Sequence, residues 1–253
     1  MNIELYWIPG CTACLRMKEF VESAGLAFDS VNVDEDPARA ERLLELGASA
    51  PAAVVDGRWA DGCDLAAVAR LLDVPYDARE PCPPGELQAR YEAIMAALCR
   101  HMAQVAPEVL DTKPPSWEWT LRDISHHGAS VMREFLFLYD PDAYPDRYEM
   151  DYERNRAPGD ISSAEQIVDH ATETLTRVRR WWEDDGHDDP LDRVVDTYWG
   201  HQTLHAAFER EVWHTAQHVR QVEALLSASG IEPDGPLGPS ELDGLPMPER
   251  LFT

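Results

Sequence analysis

The chain has 253 residues, of which 44% are hydrophobic, and it carries a formal net charge of −25 at pH 7. This length exceeds the roughly 100 to 200 residues of one typical domain, so two domains are expected. The acidic surface repels phosphate backbones and argues against nucleic acid as a partner, although it also fits a plain solvated surface. No apolar run approaches the roughly 18 residues that span a bilayer, and no export signal opens the chain, so we expect a cytoplasmic protein with no membrane partner.

Five cysteines, at positions 11, 14, 63, 82 and 99, are an odd number. Without an export signal, such a set predicts a reducing compartment rather than a framework of structural disulfides. Cys99 lies in an apolar helical pattern, where we expect a packed core thiol. The sequence assigns no role to Cys82.

The first 74 residues alternate between strand and helix patterns. Strands are predicted at residues 2–8, 26–33, 53–56 and 58–60, and helices at residues 11–24, 37–46 and 63–72. Pro37 suits the first turn of the second helix, and Asp56-Gly57 marks a tight hairpin between the last two strands. The order β-α-β-α-β-β-α therefore predicts an α/β domain over residues 1–74.

Residues 75–85 are rich in proline, which predicts a linker. Beyond it, four amphipathic helices are predicted at residues 86–105, 120–139, 163–184 and 202–227. Ser163 and Gln166 form a capping box at the start of the third of these helices. The pattern predicts an all-α four-helix bundle over residues 86–253, with the residues from Ile231 onward packed on it as an extended C-terminal strap.

Cys11 and Cys14 are separated by two residues at a predicted strand-to-helix turn. Cys11 is placed at the helix start, where unpaired amide groups and the helix dipole favour its thiolate. Cys14 is placed one turn further in, where it can attack a mixed disulfide formed at Cys11. This spacing predicts a redox pair. Half of a zinc site or two unrelated buried cysteines are the alternatives, and no second cysteine pair or histidine pair in this segment supports zinc.

Three short segments resemble glutaredoxins, which have the thioredoxin fold. They are residues 6–14 (YWIPGCTAC), 49–51 (SAP) and 61–65 (DGCDL). The three segments occur in the order that the family has, and the resemblance covers residues 1–73. It implies a thioredoxin/glutaredoxin-like N-terminal domain that exchanges thiols and disulfides.

The same resemblance implies roles for four further residues. Pro51 is expected to be cis and to face the cysteines, while Gly62, Cys63 and Asp64 are expected to cap the third helix where glutaredoxins hold a thiol cofactor. Thr-Ala stands between the two cysteines in place of the Pro-Tyr of the family, and no lysine precedes Cys11. Another low-molecular-weight thiol or a protein disulfide therefore stays open as the partner in place of glutathione.

Histidines occur at spacings that would let them meet in the bundle. His214 and His218 are four residues apart, so their rings project from one face of the predicted fourth helix. In the predicted second helix, His127 lies roughly 70° from the centre of the apolar face, whereas His126 lies roughly 170° away. We therefore expect His127 to face the interior and His126 to face water or a neighbouring surface. Three unconnected histidines are the alternative.

Three segments of the second half resemble the DinB-like four-helix-bundle superfamily: residues 119–127, 211–221 and 244–249. The resemblance covers about residues 84–253. The metal triad of that superfamily has one histidine on the second helix and two on the fourth, and these positions fall on His127, His214 and His218. The superfamily includes bacillithiol and mycothiol S-transferases and a thiol-dependent maleylpyruvate isomerase, together with many members of no known activity.

Three neutral imidazoles leave a divalent ion with an open coordination position, which is typical of a catalytic site. Zinc is the expected metal, and nickel, iron and manganese also accept histidine ligands. A thiol bound at the open position would lose its proton near neutral pH and become a nucleophile. Glu211, one turn before His214, is a candidate base or a partner that orients an imidazole, with an ordinary solvated acid as the alternative.

Both predicted sites handle thiolates, which favours a metal-dependent thiol S-transferase or isomerase. A small-molecule thiol and an electrophile would be its substrates, and the N-terminal domain would exchange thiols and disulfides. A thiol-disulfide oxidoreductase whose bundle selects the partner is one alternative, and a non-enzymatic metal-binding stress-response protein is another. Bundles of this type often pair, so a homodimer is a further hypothesis.

Overall fold

The computed structural model describes residues 2–115, 117–145, 156–197 and 199–252. Its internal contacts divide the chain into two units, one formed by residues 2–80 with residues 248–252, and the other by Pro81–Met247. The division falls inside the predicted linker. Within the described ranges, no helix is both long and apolar enough to cross a membrane.

A four-stranded sheet and three helices form the N-terminal unit. The strands are β1 (Ile3–Trp7), β2 (Asp29–Asn32), β3 (Ala52–Val55) and β4 (Arg58–Asp61), and the helices are α1 (Thr12–Ser23), α2 (Pro37–Glu45) and α3 (Leu65–Leu72). The strand order is β2-β1-β3-β4, with β1 parallel to β2 and the other pairs antiparallel. The predicted order of elements is confirmed, and this mixed α/β arrangement is consistent with a thioredoxin-like fold.

The sheet is covered on both faces, which explains its apolar strands. Successive strand residues face opposite sides, so Ile3 and Leu5 of β1 join one core cluster while Tyr6 joins the other. All four residues of β3 are buried, as expected of a central strand with cores on both sides. At the hairpin after β3, Asp56 and Gly57 both have positive φ, the conformation that tight two-residue turns require.

The second unit is helical. Its helices are α4 (Pro84–Ala103), α5 (Leu121–Ser130), α6 (Met132–Tyr139), α7 (Ala164–Trp181), α8 (Leu204–Ala228) and α9 (Pro239–Leu242), with a 3₁₀ turn at Pro107–Val109 and a π-helical turn at Trp182–Gly186. Both α4 and α5 pack against α7 and α8, and α6 packs mainly against α8. These contacts gather α4, α5, α7 and α8 around a common interior.

The predicted second helix of this unit is interrupted in the structure. Instead of one helix over residues 120–139, α5 ends at Ser130 and α6 begins at Met132. The hydroxyl of Ser130 donates a hydrogen bond to the carbonyl of His126, four residues earlier, at 2.8 Å. This kind of bond competes with the helix ladder and often bends helices.

The predicted fourth helix begins too early. Residues 202 and 203 belong to a strand, β6 (Gly200–Thr203), which pairs antiparallel with β5 (Val194–Thr197), and α8 begins at Leu204. Thr203 caps α8 by accepting a hydrogen bond from the amide of Ala206. Gly200 has a φ of 104°, which is not helical, so the segment before α8 cannot continue the helix.

The predicted strap is divided between the two units. Residues 232–235 lie on α4, where Arg100 donates to the carbonyls of Asp234 and Gly235, and Gln104 exchanges hydrogen bonds with the backbone of Glu232 and Asp234.

The last described residues, in contrast, belong to the N-terminal unit. The carboxylate of Glu19 on α1 accepts the backbone amides of Glu249 and Arg250, each at 2.8 Å, and Arg250 forms an ion pair with Glu22. The prediction that these residues pack on the bundle is therefore wrong, because an apolar tail without periodicity gives no indication of its partner.

Gly62→Ala tests the packing inside the N-terminal unit, where residue 62 lies against Met17 and Pro51. A β-carbon at residue 62 would lie 2.6 Å from Sδ of Met17 and 2.8 Å from Cβ of Pro51. We expect the substitution to lower the free energy of unfolding by about 1–3 kcal/mol, the usual cost of overpacking, as measured by calorimetry. Ser30→Ala, at an exposed position of β2, is the control and should change stability little. Equal stability of the two variants would contradict this account.

Candidate functional site

Cys11 and Cys14 form a disulfide at the start of α1. Cys11 is the N-cap residue of that helix, and its Sγ accepts the amide of Cys14 at 3.1 Å. Cys14 is fully buried, whereas Cys11 is partly exposed. The sulfur of Cys11 is therefore the one that an external thiol can reach. Because the two cysteines are bonded to each other, the alternative of two unrelated buried cysteines is wrong.

The residues that the glutaredoxin resemblance indicates lie before β3, at Pro51, and just before α3, at Gly62, Cys63 and Asp64. The Ala50–Pro51 peptide bond is cis, as the resemblance implies, and the amide of Gly62 donates to the carbonyl of Pro51 at 2.9 Å. Asp64 caps α3 by accepting the amide of Ala67 at 2.9 Å. Binding of a thiol cofactor by Pro51, Gly62, Cys63 and Asp64 stays a prediction.

His127 on α5 meets His214 and His218 on α8. One nitrogen from each ring lies within 4.8 Å of the other two, and all three residues are buried. The centroid of the His127 ring is 5.3 Å from that of His214 and 4.5 Å from that of His218. The structure thus brings together the three histidines that the sequence selected.

Two helices approach closely to make this cluster. A β-carbon added at Gly128 of α5 would lie 2.9 Å from Cβ of His218 on α8. Because glycine has no β-carbon, α5 can approach α8 at this point, and the adjacent His127 reaches the rings on α8. On α8 itself, one helical turn separates His214 from His218, which places both on the same face.

Two side chains one turn away fix the orientation of the α8 rings. Nδ1 of His214 donates to Oε2 of Glu211 at 3.3 Å, and Nδ1 of His218 donates to Oε1 of Gln221 at 2.7 Å. These bonds place the ring proton on Nδ1 and leave Nε2 with a free lone pair, as in most metal-binding histidines. Nε2 of His218 is buried and has no hydrogen-bond partner in the described part of the chain.

Burial keeps the imidazoles neutral. It lowers the pKa of His127 and of His218 well below the ordinary value, and the charges that neighbouring histidines would carry lower both further. Burial also lowers the pKa of His214, although Glu211 opposes that effect. Neutral imidazoles are the form that binds metals.

Glu211 is ionised in spite of its burial. Burial raises the pKa of its carboxyl, but Arg210 and the bond from His214 outweigh that effect and bring it below the ordinary value. Oε1 meets Nη1 of Arg210 at 2.5 Å and Oε2 meets His214. Arg210 in turn lies over the ring of Trp199, 4.2 Å from its centre. With both oxygens engaged, Glu211 is placed to orient His214.

An aromatic pair covers the other side of the cluster. The ring of Trp119 meets that of His127 edge-on at 5.0 Å, and Trp117 stacks on Trp119 at 4.6 Å. Both tryptophans are almost fully buried. They exclude water from the His127 side, which strengthens electrostatic interactions within the cluster.

His126 does not join the cluster. Its ring stacks on that of His170 of α7 at 4.4 Å, so it faces a neighbouring helix surface as expected. Burial lowers the pKa of His126 to about 4 and that of His170 to about 3. His205 also lies elsewhere, with Nε2 hydrogen-bonded to the carbonyl of Cys82.

The three histidines fit a divalent metal ion. Their donors are neutral, come from two helices, and include an unsatisfied buried nitrogen, which is otherwise costly to keep. Around tetrahedral zinc, with Zn–N of about 2.1 Å, ligand nitrogens lie roughly 3.4 Å apart. Donors already within 4.8 Å of one another need only small side-chain shifts to reach that geometry.

Two residues of the site were not predicted from the sequence. Gln221 follows His218 by three residues, a spacing at which helical side chains meet, so the pattern contained a signal for it. Arg210 had no such signal because its contribution depends on the two partners, Glu211 and Trp199, that the fold brings to it.

Comparison with known proteins supports the N-terminal site. The Glutaredoxin family model matches residues 3–60, which span β1 to most of β4. No curated protein matches the chain, and no solved structure matches it. Together with the bonded Cys11–Cys14 pair, the match indicates a thiol–disulfide redox function for the N-terminal domain. The matched region ends at residue 60, before the helical domain begins.

Gly128→Ala tests the close approach of α5 and α8. The new β-carbon would force the helices apart and move His127 away from the α8 rings, so we expect zinc affinity to fall on the order of tenfold or more, equivalent to about 1.4 kcal/mol. Gly85→Ala, whose β-carbon would be 3.8 Å from its nearest neighbour, is the matched control. Competition with a chromophoric chelator measures the affinities. Undiminished zinc binding by Gly128→Ala would count against this geometry.

Proposed function

We propose that the protein is a metal-dependent thiol S-transferase or isomerase that uses a low-molecular-weight thiol, with its N-terminal domain performing thiol–disulfide exchange. The observation that carries this proposal is the convergence of His127, His214 and His218 in the helical domain, with their ligand nitrogens within 4.8 Å of one another. The electrophile is a small molecule.

The arrangement of helices supports a DinB-like four-helix bundle as the fold of this domain. The helices α4, α5, α7 and α8 pack around one interior. One histidine comes from the second of them and two, four residues apart, come from the fourth. This is the arrangement that the sequence resemblance implies for the metal triad of that superfamily.

Zinc is the proposed metal, held by His127, His214 and His218. A divalent ion held by neutral ligands keeps its full charge, and it would favour loss of the proton from a thiol at an open coordination position. Glu211 and Gln221 hold the two α8 rings in the binding tautomer. Trp119 excludes water beside His127. The histidines would therefore bind the metal, Glu211 and Gln221 orient two of them, and Trp119 keeps water away from the third.

In the proposed transfer, the thiol gives up its S–H proton and its sulfur forms a bond to carbon of the electrophile. In a transferase, the leaving group departs with the electron pair of the bond that breaks. In an isomerase, the sulfur adds to the substrate and is later eliminated, so that the thiol is regenerated. Both routes conserve the oxidation state of sulfur.

The N-terminal domain would act on the oxidised form of the thiol. The Cys11 thiolate attacks one sulfur of an external disulfide and releases one thiol, and Cys14 then attacks the mixed disulfide and releases the second. The disulfide substrate gains two electrons, and the Cys11–Cys14 disulfide of this structure is the product. Two external thiols are needed to return it to the dithiol form.

His214→Ala is the principal test. The purified protein is analysed for metal content and assayed with a panel of bacterial thiols and monochlorobimane as electrophile. We expect the substitution to reduce metal-dependent consumption of the thiol to the background rate, because one of three ligands is lost. His201→Ala, an exposed histidine of β6, should retain the rate, and so should Cys11→Ser. Failure of the metal-loaded protein to consume any thiol would end the proposal.

Glu211→Gln tests the orienting role of that carboxylate. The amide keeps the shape of the side chain but loses its charge, so it would bind His214 less firmly. Substitutions at partners of this kind usually cost about 10- to 100-fold in metal affinity, and we expect a loss in that range at constant pH. Glu165→Gln, at an exposed position of α7, is the control. An unchanged affinity would assign Glu211 a different role.

A second candidate is a thiol–disulfide oxidoreductase whose helical domain selects the partner. The Glutaredoxin match and the bonded cysteine pair favour it. In that case Cys11→Ser would abolish all activity, while removal of the metal would change little. The two sets of variants therefore separate the candidates.

A further inference from the structure

Lys18 is a buried amine on the helix that carries the cysteine pair. The chain contains two lysines, Lys18 and Lys113, and Lys18 is only 7% exposed. Lysine is rarely buried to this extent, so its position requires an explanation. The inference that follows depends on thiol–disulfide exchange at Cys11 and Cys14 and is independent of the metal proposal.

The register of α1 places Lys18 on the same face as the two cysteines. It follows Cys14 by four residues, and side chains four residues apart are neighbours on a helix; Cys11 is the N-cap, one turn before Cys14. Helical side chains lean towards the N-terminus, so Lys18 extends over the turn that contains Cys14. Because Cys14 is fully buried, a charge on its sulfur could not be stabilised by water.

The ammonium of Lys18 lies against an aromatic face. Its Nζ is 3.4 Å from the centre of the Trp7 ring, at the end of β1. Two charged groups also face it, Glu22 from α1 and Arg250 from the C-terminal residues, and these two are paired with each other. Burial is the main cause that lowers the pKa of Lys18 to about 8, and repulsion from Arg250 lowers it further. The carboxylate of Glu22 opposes this change.

We propose that Lys18 is a positioning residue for the redox pair, whose buried ammonium stabilises the thiolate of Cys14 when the disulfide opens. When an external thiolate attacks Sγ of Cys11, a new S–S bond forms there and the bond to Cys14 breaks. The electron pair of that bond leaves on the sulfur of Cys14. A buried thiolate is costly, and a nearby cation offsets that cost.

The same pair can exchange a proton. Transfer from the Lys18 ammonium to the Cys14 thiolate gives a neutral amine and a thiol, and the reverse transfer restores the thiolate before it attacks a mixed disulfide. Burial disfavours both charged forms, the thiolate of Cys14 and the ammonium of Lys18, so the transfer leaves neither group as an isolated buried charge.

The two lysines allow a direct test on the unaltered protein. With ¹³C-labelled lysine, the nuclear magnetic resonance spectrum has one set of lysine signals from Lys18 and one from Lys113, which is the internal control. Each is titrated in the disulfide form and again after reduction with dithiothreitol. We expect the midpoint of Lys18 to rise by about one pH unit on reduction, because a thiolate favours the ammonium, while that of Lys113 stays constant. An unchanged midpoint for Lys18 would overturn the proposal.

A cysteine variant identifies the sulfur concerned. In reduced Cys14→Ser the rise of the Lys18 midpoint should disappear. If it persists, the ammonium responds to Cys11, and the assignment to Cys14 is wrong.

Substitutions at Lys18 provide a kinetic readout that a merely structural role would not move. Lys18→Met keeps the apolar stem but removes the charge, and we expect reduction of the disulfide by dithiothreitol at neutral pH to slow about tenfold, as a shift of one pKa unit implies. Lys18→Arg keeps the charge and should restore the rate. Lys113→Met should behave as wild type. A wild-type rate and pH profile in Lys18→Met would refute the proposal, and if that variant does not fold, the lysine titration decides.

Discussion

The helical domain holds its three histidines together through one close contact between two helices. Gly128 on α5 faces His218 on α8, where an added β-carbon would come within 2.9 Å of Cβ of His218. The missing side chain sets the separation of the helices, and that separation places the ring of His127 4.5 Å from the ring of His218. A metal site shared between helices depends on such spacing, since ligands on one helix cannot compensate for the loss of those on the other.

Burial has different consequences in the two domains because the buried groups differ in charge. In the helical domain it keeps the imidazoles neutral, while Glu211 remains ionised because both of its oxygens meet donors. In the N-terminal domain it isolates Cys14 and Lys18 from water on one face of α1. On that face, the Lys18 ammonium would replace water in stabilising a charge on the sulfur of Cys14.

Local patterns predicted most of the N-terminal domain because its signals are local. The Asp56-Gly57 turn, the cysteine spacing and the apolar strands each identify an element without reference to the rest of the chain. In the helical domain, the angle about the helix axis separated His127 from His126. The hairpin of β5 and β6 was missed because its residues are mostly polar and none of them is buried. The interruption after Ser130 gives no signal in the apolar pattern, which continues from α5 into α6. The contribution of Arg210 depends on tertiary partners, which no pattern in the sequence reveals.

The path of the chain has a consequence for the order of assembly. Residues 248–252 complete the N-terminal unit, yet the whole of Pro81–Met247 separates them from residues 2–80. A ribosome releases the sheet and α1 long before it has made the residues that bind Glu19 and Glu22. Any folding of the thioredoxin-like domain during synthesis therefore proceeds without these contacts, which can form only after Pro81–Met247 has been made.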